Sequence, residues 1–313
     1  MAPPGLKALA LLAGLPASGQ ADLAYVTCQP DDALSVIDTV TGQELSRWPL
    51  PGKPAGVAAH GGSVFTISPD TKSVRRFSSD GRLLAEITLE GGPLGAAFDH
   101  RRNQLYVSDW YNARIWVLRA TTLELLLELE TGAAPAGLAL SADGRYLASA
   151  DKDADQVSLF DAHRLELVAR IPVGTRPFGL RFDPEGRLFV GNVGSNDVTV
   201  LHPDGLRHIA TIPVGERPYG IAFAQAKAFV SDQYDNTVTV IDLASLEPVA
   251  QIGVGEYPEG IDASADGSHI VLANWFDNTV TILDAITHKV LYDIPTCDGP
   301  RAFGRFLLGG EEQ

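Results

Sequence analysis

Arginine, aromatic and carboxylate side chains recur at turn positions of this chain, where they could meet a ligand. Arg176 and Phe178, Arg217 and Tyr219, and Tyr257 and Glu259 flank prolines, and Arg301 and Phe303 follow Pro300. Trp110, Tyr111, Gln233, Tyr234, Trp275 and Phe276 sit in polar connecting segments. Aromatic residues and Arg are enriched at recognition surfaces, and aromatics in turns are costly to expose without a partner. Part of the set is also expected to pack between neighbouring elements. Glu259 is the candidate general base, with Arg176, Arg217 and Arg301 as anion-binding groups. Nothing in the spacing fixes a catalytic geometry, so no catalytic residue is assigned.

Other chemistries find less support. The histidines (His60, His100, His163, His202, His208, His269 and His288) fall at turns or outer strands of different units, unlike a metal-ligand cluster. The run Asp151-Lys152-Asp153-Ala154-Asp155 lacks the glycine and distal Glu of a calcium loop. The nucleophile elbow, the paired-His zinc motif and the phosphate loop are missing. Met1 is the only methionine, which disfavours a haem held by Met. Neither a metal nor a cofactor is expected.

The elements that must position these residues repeat. Pro54-Ala55-Gly56, Pro93-Leu94-Gly95, Pro135-Ala136-Gly137, Pro177-Phe178-Gly179, Pro218-Tyr219-Gly220 and Pro258-Glu259-Gly260 lie 39 to 42 residues apart, and Pro300 to Gly304 is a degraded seventh copy. A period near forty, filled by short alternating runs and turn residues, points to four-stranded blades. In the unit Ile212 to Asp242, strands are expected over 219–223, 228–231 and 238–242, with a fourth ending in Ile-Pro-Val-Gly. The chain opens on a second-type strand near Leu23 and ends on an unpaired first-type strand, Phe303 to Leu308. That strand is expected to complete the first blade and close the ring, which removes open sheet edges. The fold class is all-β: a seven-bladed β-propeller over residues 22–313, one domain because each blade needs its neighbours. Turns leading into first strands and second-to-third loops share one face, here the top.

Tyr25-Val26-Thr27 with Val36-Ile37-Asp38, the Ile-Pro-Val-Gly-x-x-Pro-x-Gly runs, and Asn274 with Asp277-Asn278-Thr279-Val280 resemble the YVTN-type β-propeller repeat family. The resemblance spans about residues 23–308 and implies extracytoplasmic seven-bladed propellers, often near periplasmic redox metabolism. It implies no single activity. Residues 63–79 depart from the pattern: Thr71-Lys72-Ser73 replaces the usual Asp-Asn pair, and Arg75-Arg76 interrupts the third strand.

Residues 1–21 carry Lys7, an apolar run and a small-residue ending at Ala21, which reads as a secretory signal. The run is too short to span a bilayer, so a soluble periplasmic or secreted protein is expected. Cys28 and Cys297, the only cysteines, both map to the top at the closing blade, where a disulfide is expected in an oxidising compartment. The formal charge of −15 makes nucleic acid a poor partner. The expectation is a monomeric binding or scaffold propeller that docks an unknown protein, peptide or small ligand on its top rim. The alternatives are a lactonase- or lyase-like enzyme at the channel mouth, or an accessory of quinone- or haem-dependent dehydrogenases.

Overall fold

The computed structural model describes residues 22–309. The expected signal segment, 1–21, lies outside the described residues. Seven sheets arise from strands joined mainly by tight turns. Blade 6 shows the pattern: Pro218–Ala224 innermost, then Lys227–Asp232, Thr237–Asp242 and Pro248–Gly253 outermost. Blades 2 to 5 and 7 begin at Gly56, Pro93, Pro135, Pro177 and Pro258.

Burial explains the composition of each strand type. Third strands such as Val238-Thr239-Val240-Ile241 are buried on both faces, because each blade is sandwiched by its neighbours. Outermost strands, such as Gln43–Pro49, are mostly exposed. Hydroxyls clasp one blade to the next. Thr27 Oγ1 donates to the Ala55 carbonyl at 2.8 Å, Ser108 Oγ to that of Ala136 at 2.7 Å, and Ser231 Oγ to that of Glu259 at 2.7 Å.

Ring closure takes the form read from the strand order, with one addition. Leu307–Leu308 pairs antiparallel with Leu23 and Ala24 of blade 1. Just before it, Phe303–Arg305 pairs in parallel with Gly56 to Ala58 of blade 2. The segment therefore stitches two blades rather than one. Gly304 makes the switch possible: its φ is +133°, and a side chain there would collide with the Val57 carbonyl. Asp262 anchors the segment to blade 7, its Oδ2 accepting from the Phe306 and Leu307 amides at 3.0 and 3.2 Å.

A second device recurs on the top face. Second strands end in one register on Cys28, Ser68, Asp109, Asp151, Asn192, Asp232 and Asn274. In blades 4 to 7 this side chain lies against the glycine three residues before the Pro-x-Gly proline. A Cβ on Gly215 would come within 2.6 Å of Asp232 Cγ, and one on Gly174 within 2.7 Å of Asn192 Cγ. In blade 1 that glycine is Cys297 and the facing residue is Cys28. The two are joined as a disulfide with Cα atoms 5.8 Å apart. A covalent link thus occupies the place of a packing contact.

Candidate functional site

The ring of Pro-x-Gly triplets brings its middle residues together at the top of the central channel. They form a plug, not a rim. Phe178 stacks on Tyr219 (4.6 Å between centroids) and Phe303 (5.0 Å), with Ala136, Leu94 and Trp110 packed around them. Phe178, Tyr219 and Phe303 are buried. Trp110 meets Phe178 edge-on at 6.1 Å and carries the Lys152 ammonium 5.0 Å from its ring.

Glu259, buried, and Arg301, whose side chain is 21% exposed, complete the plug as an ion pair. Arg301 Nε lies 2.9 Å from Glu259 Oε2, and the guanidinium donates to the Tyr219 hydroxyl at 3.0 to 3.1 Å and to Gln29 Oε1 at 3.1 Å. Gln233 Nε2 donates to Glu259 Oε1 at 2.7 Å. Burial pushes the Glu259 carboxyl up, while Arg301 pulls it back. Burial opposes the charge of Arg301, but Glu259 and Tyr219 outweigh it and hold the guanidinium protonated. Burial likewise raises the Tyr219 hydroxyl well above the usual tyrosine range. The residues expected as exposed binding or catalytic groups here are thus spent on one another. The physical reason is that second residues of the triplets point inward at the narrowest part of the ring.

Exposed aromatic side chains gather instead over blades 6 and 7. Tyr257, half-buried and at φ +61°, is the centre of this group. It contacts Tyr234 at 5.6 Å, Phe276 at 4.8 Å and Trp275 at 5.9 Å. Tyr234 is 50% exposed and Phe276 is 58% exposed. Arg217 lies over Tyr234, 4.5 Å from the ring, and donates to its hydroxyl at 2.7 Å. Five of the candidate residues are thereby brought together as one aromatic crescent. Tyr111, 78% exposed, belongs to blade 3, and the exposed Arg176 to the turn into blade 5; both stand apart from the crescent.

The carboxylates of the top face have local duties. Asp151 accepts from Ser149, Gln156, Ser158 and the Gly132 amide. Asp155 accepts from the Arg176 amide at 2.7 Å, and Lys152 pairs with Asp153. Among the described residues, histidines and acids form no group of three that could hold a metal ion.

A cavity of about 720 Å³ is the channel below the plug. It runs from the triplet glycines and Phe303 down to the first-to-second turns of the bottom face, where His60 and His100 stack at 4.4 Å. Arg181 and Asp262 face it and pair at 2.8 Å across blades 5 and 7. Sequence reasoning missed both. Alignment on the Pro-x-Gly triplets does single them out, because four other blades carry Ala58, Ala97, Ala139 and Ala222 in that register.

A seven-fold ring of such blades, with the triplet motif in register, settles the architecture. This is a propeller consistent with the YVTN-type repeat family. A model of the YNCE-like β-propeller family matches residues 188–307, and one of the seven-bladed β-propeller lactonases matches residues 103–208. No curated protein matches the sequence of this propeller. Solved structures share its fold, three of them as follows. A chain of Kuenenia stuttgartiensis hydrazine synthase superposes with a TM-score of 0.73 at 17% identity, over 89% of this chain and 99% of that one. A functionally unknown protein from Desulfotomaculum acetoxidans gives 0.78 at 15% identity, over 89% and 98%. Dihydro-heme d1 dehydrogenase NirN, in complex with DHE, gives 0.70 at 15% identity, over 96% and 79%. At these identities the likeness concerns the fold alone.

Proposed function

We propose that this propeller is an exported binding protein that docks a polypeptide segment on the top rim of blades 6 and 7. The observation that carries the reading is the crescent of Tyr234, Tyr257, Trp275 and Phe276 with Arg217 stacked on its edge. Rigid aromatic anchors give large contact area at small entropic cost, and they dominate binding energy at protein interfaces. The lactonase match supports a second reading, hydrolysis of a lactone with Glu259 as base. The burial and pairing of Glu259 weigh against it.

The test is capture of periplasmic proteins by the wild-type chain and by a Tyr234→Ala, Trp275→Ala, Phe276→Ala variant that melts normally. A partner retained by the first and lost by the second supports the docking surface. Equal capture by both would remove the crescent from the account, and lactone-hydrolysis assays would then come first. Export is tested separately: the exported chain is expected to begin at Asp22.

A further inference from the structure

We propose that the central channel, open at the bottom face, is a binding site for a small organic monocarboxylate, held by Arg181. The site is independent of the rim and lies at the other end of the channel.

A cavity of about 720 Å³ falls within the usual size range of small-molecule sites, and its walls are largely apolar, with Leu138, Phe182, Phe223 and Ile261 among them. Three acids that face it are each held by amides and a guanidinium, whereas two of the arginines that face it, Arg181 and Arg101, are only partly engaged. Asp99 accepts from the Arg101 and Arg102 amides and pairs with the Arg102 guanidinium. Asp183 accepts from the Glu185 and Arg187 amides and pairs with the Arg187 guanidinium. Asp262 is held by Arg181 and by the Phe306 and Leu307 amides. Arg181, by contrast, uses one nitrogen, Nη1, for its ion pair. Its Nε and Nη2 make no hydrogen bond among the described residues, the residue lines the cavity, and its side chain is 26% exposed. Arg101, at the mouth, bonds the Ala142 carbonyl and has no carboxylate partner among the described residues.

A guanidinium with donors to spare, set among apolar side chains in a chamber whose acids are already paired, selects a planar carboxylate with an apolar body. Asp262 beside it, and the chain's charge of −15, count against a dianionic phosphate.

The experiment is isothermal titration of the full chain with 3-phenylpropionate and with its neutral amide of matching shape. The acid is expected to bind saturably and at least tenfold more tightly than the amide. Arg181→Gln should lose at least tenfold for the acid and leave the amide unchanged. Asp262→Asn relieves Arg181 of its partner and should tighten the acid, a gain that misfolding cannot imitate. The double variant, which leaves no lone buried charge, should keep the wild-type circular dichroism spectrum and bind the acid as weakly as the amide. Absence of saturable acid binding, equal binding of acid and amide, undiminished acid affinity in Arg181→Gln, or displacement of the acid by equimolar inorganic phosphate would each overturn the assignment.

Discussion

The residue that ends each second strand shows how one repeat position is put to different electrostatic uses. Asp109 is buried, yet the Gly92 amide, Asn112 and Arg114 together hold its carboxyl below the usual range. Asp232 has no such cation. Burial lifts it to about 6, against the pull of Thr239 and Thr237. Blades 5 and 7 place the neutral Asn192 and Asn274 there, each donating to a threonine of the third strand. A carboxyl raised on folding favours the folded state while protonated. That contribution is intact below the unfolded value near 3.8 and is lost as pH rises through about 6. Above pH 7 the charged Asp232 therefore costs about 3 kcal/mol relative to a neutral group. Asp232→Asn is expected to raise the melting temperature by roughly 5 °C at pH 8 and to leave it unchanged at pH 4. Scanning calorimetry at both pH values checks this. In the plug, Glu259→Gln removes the carboxylate partner of the partly buried Arg301 guanidinium and is expected to cost about 2–3 kcal/mol in denaturant unfolding. Tyr234→Ala on the crescent should cost less than about 1 kcal/mol, so the pair separates packing from recognition.

At the scale of elements, the turns explain which sequence signals carried structure. Asp32, Asp155, Asn196, Asn236 and Asn278 close second-to-third loops in left-handed conformation. Each side chain accepts from an amide in the turn that leads to the next blade: Lys53, Arg176, Arg217, Tyr257 and Gly299 respectively. The Asn and Asp of the repeat are thus inter-blade struts. Asn236→Ala is expected to cost about 1–2 kcal/mol by urea unfolding, since it strains the loop and orphans the Tyr257 amide. Blade 2 has Lys72 in this place and forms its third strand, Ser73–Ser78, all the same. The arginines that interrupt its pattern are satisfied. Arg75 pairs with Glu86 at 2.8 Å and bonds Ser68, and Arg76 reaches Ser63 and the Thr121 carbonyl. A cross-strand partner therefore rescued what local patterning made doubtful.

At the scale of the whole molecule, closure is where the ring is most exposed to failure. It rests on a short C-terminal segment, the Asp262 anchor and the Cys28–Cys297 link, which spans a sequence separation of 269 residues. Tying so long a loop restricts the unfolded chain and could add roughly 5 kcal/mol. Reduction is expected to lower the melting temperature by about 10 °C, and Cys28→Ser by the same amount even in oxidant. Peptide mapping without reductant should recover the two cysteines in one linked fragment. Two free thiols in the exported protein would refute the link.

The sequence by itself determined the blade count, the strand order and the place of closure. Those follow from local periodicity and turn chemistry, which every copy of the repeat states again. It also assigned the candidate residues to the Pro-x-Gly triplets and the second-to-third loops. Only the tertiary structure decided which of them are exposed, because that depends on the radius at which each turn meets the channel. Residues inside the triplets, such as Tyr219, Glu259 and Arg301, converge and bury one another. Residues just before the triplets, Arg217 and Tyr257, point outward and join Tyr234, Trp275 and Phe276 from the adjoining loops. The Arg181–Asp262 pair crosses from blade 5 to blade 7, a distance that no pattern within one repeat can express.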